Sequence, residues 1–306
     1  MSTKVETMYH SKDHLDPSSS TLYPSCEVTE AIELSYISQA SSSTNSLPVY
    51  TEIYNKDESA HLYTTVADFY PTKQFQIQAS GIPLIKLPVP PRPDPIYTFN
   101  VSPTGDIEEA EYVSIRPARK SGSCFLARAN DCAQKPLCTT TYRYGPGNPP
   151  KIRLETETSQ GRQAEDIEIS CKGMMTRSVV MRTHLGTFEW RYSSRAERRA
   201  FMGEKADSLL VLEQVTKVAV KRGKQEERRR KVGHFVRNSG VRTPGSNRST
   251  AGNGGRLMLD LQEWVDRKGE CVEMEILAVA SCICMLKKEV DRRRVHQTMA
   301  MMGGGS

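Results

Sequence analysis

Between Cys271 and Arg294, apolar side chains recur at Val272, Ile276, Val279, Ile283, Leu286 and Val290, steps of three and four that place them on one face of an α-helix. The other faces are not polar in the middle, where Leu277, Ala278, Ala280, Cys282, Cys284 and Met285 complete the circumference. A helix apolar on every side has to be enclosed. Its uncharged run, Ile276–Leu286, measures roughly 16 Å at 1.5 Å per residue, about half the ~30 Å of a bilayer's hydrocarbon. Protein rather than lipid is therefore expected around it, and no transmembrane segment is predicted. Glu273 and Glu275 at one end, and Lys287 and Lys288 at the other, suit the helix dipole.

Upstream the period shortens to two. Ile167, Ile169 and Cys171 alternate with Asp166, Glu168 and Ser170, the pattern of a strand with one buried face. His184-Leu185-Gly186 reads as a hairpin turn joining Arg177–Thr183 to Thr187–Tyr192, and on the second strand Phe188, Trp190 and Tyr192 share a side. Further strands are predicted at Ser123–Arg128, Thr139–Tyr144, Ile152–Glu157, Ser208–Thr216, Val232–Arg237 and Arg256–Gln262. Ser194–Ala206 reads as a short charged surface helix, and the glycine-rich stretch Asn238–Gly255 as a mobile loop. The class is mainly β with one central helix over 271–294.

The first 72 residues show neither period. They are serine-rich with scattered acids and with tyrosines that include Tyr36, Tyr50, Tyr54, Tyr63 and Tyr70, and read as a disordered acidic tail. Residues 73–96 lead into seven prolines between Pro83 and Pro103 and are expected to be an extended linker. The β domain is placed at 97–296, and 297–306 are expected to be disordered.

Composition changes the picture in one respect. The chain has 306 residues, of which 37% are hydrophobic, and a formal charge of +6. That charge hides a division: the first 70 residues carry 3 basic against 10 acidic residues, and the other 236 carry 39 against 26. The polar, serine-rich opening has no signal-peptide character. Eight cysteines without CxxC spacing read as reduced thiols. A cytoplasmic or nuclear location is the expectation.

Many strands followed by a wholly apolar C-terminal helix resembles the tubby C-terminal-like superfold, which includes tubby proteins, phospholipid scramblases and LURP-one-related proteins. The likeness rests on Phe188-Glu189-Trp190-Arg191-Tyr192, on Leu257–Leu261 and on Met274–Leu286, and spans about Tyr97 to Val295. It implies a closed antiparallel β-barrel around the hydrophobic helix. The serine-rich N-terminus and inserted basic run are similar to fungal members. No phosphoinositide, calcium or acylation site of the superfold matches residues here.

Of the six histidines, none stands in a metal-binding or catalytic spacing, and His234 reads as a strand residue. GxSxG and GxxxxGK[ST] are absent. A non-enzymatic module without cofactor or metal is the expectation. The positive feature is a basic run, Lys217, Lys221, Arg222, Lys224, Arg228, Arg229, Arg230 and Lys231, whose stretch Lys221–Lys231 is predicted to protrude as a loop or short helix. Arg292-Arg293-Arg294 adds a second, shorter run. Such a loop suits anionic phospholipid headgroups. The alternative is a nuclear regulatory protein whose run is an import signal or a nucleic-acid contact; a solvated basic surface with no specific partner is the third reading.

Overall fold

The structure is a computed structural model that describes residues 69–85, 94–118, 121–143, 148–158, 161–173, 176–201, 206–219, 225–267 and 269–303. The expected tail, except for 69–72, and residues 86–93 of the expected proline-rich linker lie outside the described residues. The strands are β1 (Lys73–Gln78), β2 (Ile96–Val101), β3 (Ile107–Ile115), β4 (Cys124–Arg128), β5 (Cys138–Thr141), β6 (Lys151–Thr158), β7 (Gly161–Glu168) and β8 (Ser170–Cys171). After these come β9 (Val179–Thr183), β10 (Gly186–Tyr192), the helix α1 (Arg195–Ala200), β11 (Ser208–Ala219), β12 (Gln225–Arg237), β13 (Gly255–Leu259) and the long helix α2 (Glu270–Gly303).

All the strands join one antiparallel sheet in the order β7-β6-β5-β4-β3-β2-β1-β13-β12-β11-β10-β9-β8. Its two edges are neighbours in the chain. Ile169 alone separates them, so the stretch Gly161–Cys171 pairs with β6 through its first part and with β9 through Ser170 and Cys171. The sheet is thereby curled into a nearly closed barrel, which leaves little unpaired edge.

The barrel is filled by α2. Every residue from Met274 to Leu286 is buried, and these side chains share one core with Phe75, Tyr112, Leu126, Ile152, Trp190, Phe235 and Leu257 of the surrounding strands. The period-two reading of β10 holds, with Phe188 and Trp190 fully inside. Small residues let the wall approach the rod: Trp190 Nε1 donates to Ser281 Oγ at 2.9 Å, and that hydroxyl donates back to the Ala278 carbonyl at 3.2 Å. Among the described residues no helix is long and apolar enough to cross a membrane.

Three boundaries differ from those the sequence suggests. Lys73–Gln78, expected to be linker, is strand β1, paired with β13 on one side and β2 on the other. Only Phe75 and Ile77 signal it, and both are fully buried, while Gln76 on the opposite face donates to the Val241 carbonyl at 2.8 Å. The stretch 238–255, expected to be mobile, is packed: Ala251 and Ile82 exchange backbone hydrogen bonds of 2.8 Å. Its glycines serve close approach, since a Cβ on Gly254 would press on the Ile77 carbonyl and, at 2.8 Å, on the Ala79 nitrogen. Finally, α2 continues through 297–303, where Met, Ala and Gln favour helix and Gln297 Nε2 donates to the Leu84 carbonyl at 2.9 Å.

Candidate functional site

The basic run sits on the longest hairpin. β11 and β12 pair from Ser208 opposite Arg237 to Ala219 opposite Gln225. β10 accompanies β11 only as far as Gln214, and β13 accompanies β12 only back to Gly233, so the rest projects as a two-stranded arm. The loop or short helix expected over Lys221–Lys231 is therefore strand from Gln225 onward. A run of consecutive charges hides the alternation that pairing imposes. Lys221, Arg222 and Lys224 lie outside the described residues.

Pairing divides the remaining cations of the run. Arg229 reaches Glu213 and Glu189, each at 2.9 Å, and Glu227 as well. Glu189 and Glu213 are buried on the barrel's outer wall, where Lys172 and Arg191 also hold them, at 2.9 and 2.6 Å. Burial alone would raise the Glu189 pKa, but hydrogen bonds from Lys172 and Arg229 hold it below the usual carboxylate value. Arg230 is engaged by Glu263 and by Asp260 at 3.4 Å, with its guanidinium 5.6 Å from the Trp264 ring centre. Lys217, Arg228 and Lys231 have no carboxylate partner among the described residues, and Lys217 and Arg228 are exposed.

The arm also belongs to the acidic end of the barrel. Here α2 begins, with Glu263, Glu270, Glu273 and Glu275 close together in sequence. His184 bridges Glu165 at 2.6 Å and Glu273 at 2.9 Å. Partial burial opposes charge on this ring, yet the hydrogen bonds to the two carboxylates prevail and keep its pKa above the ordinary histidine value.

The opposite end, where α2 leaves the barrel beyond Leu286, is basic. Lys287, Lys288, Arg292, Arg293 and Arg294 come from the helix; the rim adds Arg143, Arg177, Arg237, Arg242 and Arg248. The buried Glu289 carboxylate anchors the helix to the rim. It accepts from Arg237 Nη1 and Nη2 at 2.6 and 2.7 Å, from Tyr192 Oη at 2.7 Å and from the Gly252 nitrogen at 3.0 Å. Burial disfavours its charge, but Arg237 keeps its pKa below the usual value. Asp207 takes up Arg242 and, at 3.7 Å, Arg248. Arg143, Arg177, Lys288, Arg292 and Arg293 have no carboxylate within ion-pair distance among the described residues: Arg177 lies over the Tyr192 ring, Arg292 donates to Tyr192 Oη and Arg293 to the Ser249 carbonyl.

Cavities of about 270, 430 and 460 Å³ open around the emerging helix. At the same end Leu84, Ile85, Met299, Met301 and Met302 are exposed, Ile85 by 92% and Met302 by 80%. Gln297 ties the helix to the 83–84 backbone, so the two apolar groups are close. Only Arg292-Arg293-Arg294 announces this surface as a run; the rim arginines are scattered in sequence and meet through the sheet topology.

His234 is buried between Phe69 and Phe201, with ring centres 4.1 and 5.2 Å away, and burial, reinforced by Lys231, pushes its pKa down to about 4. Cys282 and Cys284 are fully enclosed, and burial raises both thiols above their ordinary range. Among the described residues no group of three or more His, Cys, Asp or Glu side chains is placed to hold a metal ion. Compared with protein-family models, with curated proteins and with solved structures, the chain has no match.

Proposed function

We propose that the chain is a non-enzymatic binding module that docks on anionic phospholipid surfaces through the end of the barrel from which α2 emerges. The observation that carries this reading is the charge at that mouth: Arg143, Arg177, Lys288, Arg292 and Arg293 stand without carboxylate partners among the described residues. Each basic side chain near an anionic leaflet contributes ~1 kcal/mol. The exposed Leu84, Ile85, Met299 and Met302 supply the apolar complement that an interfacial binder inserts below the headgroups.

The β11–β12 arm supports docking less well than the basic run alone suggests, because Arg229 and Arg230 are held by carboxylates of the barrel wall. The same pairing weakens the reading of that run as a nuclear address or nucleic-acid contact. An antiparallel barrel enclosing a C-terminal helix supports grouping the chain with the tubby C-terminal-like superfold.

Co-sedimentation of the full chain with vesicles of phosphatidylcholine, with and without phosphatidylserine, tests the proposal. Binding should require the anionic lipid and fall steeply as salt is raised. Equal pelleting with neutral vesicles would overturn it.

A further inference from the structure

Of the three cavities around the emerging helix, the one of about 270 Å³ has the most one-sided charge. Six arginines line it, Arg177, Arg237, Arg242, Arg248, Arg292 and Arg293, against two carboxylates, Asp207 and Glu289, and six less two leaves four positive charges unmatched. Both acids are already committed. Glu289 accepts from Arg237, Tyr192 and the Gly252 nitrogen, and Asp207 is shared by Arg242 and Arg248. Asp291 lines the two neighbouring cavities and not this one.

The polar atoms left over are all of one kind. On this lining, the buried side-chain atoms without a hydrogen-bond partner among the described residues are Arg237 Nε, Arg242 Nε and Arg293 Nη1, all cationic donors. Buried donors left unpaired are costly. The guanidiniums that lack a carboxylate rest on neutral groups: Arg177 and Arg292 lie 5.9 and 5.6 Å from the centre of the same Tyr192 ring, and Arg293 donates to the Ser249 carbonyl at 2.9 Å. Arg248, its side chain 72% exposed, meets Asp207 only at 3.7 Å. Like charges gathered in this way repel one another, and an anion in the cavity would offset them without having to touch the buried nitrogens.

The walls select among anions. Apart from Tyr192 and Ala251 the lining is charged or polar, so it offers no apolar surface to an alkyl chain. A surplus of four charges favours a dianion over a monoanion, and guanidinium forks suit phosphate oxygens. A phosphate monoester carries about −1.5 to −2 charge at neutral pH and three acceptor oxygens; a diester has given up one of those oxygens and carries about half the charge. We infer that this cavity is a one-to-one site for a phosphate monoester, borne on a lipid head such as that of phosphatidic acid or on a small soluble molecule, with Arg177, Arg248, Arg292 and Arg293 as its ligands. The inference rests on the docking proposal in placing anion recognition at this mouth, and goes beyond it in requiring a single saturable site rather than a diffuse field.

Isothermal titration of the full chain with glycerol 3-phosphate and with dimethyl phosphate, no vesicle being present, tests the site. Glycerol 3-phosphate should bind saturably with a stoichiometry of one, about tenfold or more tighter than dimethyl phosphate, and Arg248→Gln and Arg293→Gln should each weaken it about tenfold, the loss of one charge-assisted hydrogen bond. Because the Arg248 side chain is exposed, its variant keeps the fold whatever becomes of the Arg293 variant. Lys217→Gln/Arg228→Gln, on the arm, should leave the titration unchanged. Phosphatidylcholine vesicles containing phosphatidic acid, compared with phosphatidylserine vesicles of equal zeta potential, distinguish the sources: tighter binding to phosphatidic acid assigns the lipid head, and equal binding assigns the soluble monoester. No saturable binding of glycerol 3-phosphate, equal affinity for dimethyl phosphate, or full affinity in the Arg248→Gln variant would overturn the inference. Membrane docking fails separately, by absence of binding to phosphatidylserine vesicles while glycerol 3-phosphate still titrates.

Discussion

Replacing Glu289 with Gln should unlatch the helix from the barrel rim. The carboxylate and the Arg237 guanidinium facing it are only 11% and 6% exposed, and their contact is bidentate. Removing one partner of such a pair leaves a buried charge without its counter-ion, which costs ~3–5 kcal/mol. For a domain of this size each kcal/mol lowers the melting temperature by ~2–4 °C, so a fall of ~6–20 °C is expected. The loss should be partly repaired in the double variant Arg237→Met/Glu289→Leu, since an apolar pair carries no uncompensated charge. Acid should erase the difference between wild type and Glu289→Gln. The folded pKa is depressed, so the contribution is complete above the unfolded value of ~4.3 and is lost as pH falls through the lower folded value. Urea denaturation of the two proteins and the double variant, at neutral and acid pH, measures all three effects. A cost below ~1 kcal/mol for Glu289→Gln, the range of an exposed ion pair, would refute the latch.

Ser281→Ala should cost ~1–3 kcal/mol by leaving the buried Trp190 indole nitrogen without an acceptor, and near-ultraviolet circular dichroism should report the altered Trp190 environment; an unchanged midpoint would argue against the enclosed contact. His184 acts with the opposite pH sign to Glu289: its folded pKa is raised, so its stabilisation is complete below ~6.5 and disappears as pH rises through the folded value. Comparing urea midpoints of wild type and His184→Gln across that window should show the wild-type advantage shrinking toward alkaline pH, and a constant difference would contradict the carboxylate bridge.

The central helix was legible because enclosure demands apolar residues on every face, and Ile276–Leu286 carry no charge on any of them. β10 was legible for a related reason, its three aromatics on one side. β1 was not: it contributes just two apolar side chains and relies on β2 and β13 to cover the rest. The basic run was visible as composition, but its meaning depends on partners far away in sequence, such as Glu189 and Glu263, which pairing and the turn before α2 bring to Arg229 and Arg230. The exit mouth shows the converse. Arg143, Arg177 and Arg248 are unremarkable singly, and only closure of the sheet around α2 sets them beside Lys288 and Arg292.

Vesicle flotation of two charge variants decides which end of the barrel meets the membrane. Arg177→Gln/Lys288→Gln/Arg292→Gln removes three unpaired cations from the mouth, and at ~1 kcal/mol each near an anionic surface affinity for phosphatidylserine vesicles should fall about 100-fold, at about 1.4 kcal/mol per factor of ten. Lys217→Gln/Arg228→Gln removes the exposed cations of the arm at the opposite end and should leave binding within a factor of about 3, the surface potential having decayed over a Debye length. Full binding by the mouth variant, with loss in the arm variant, would contradict the account.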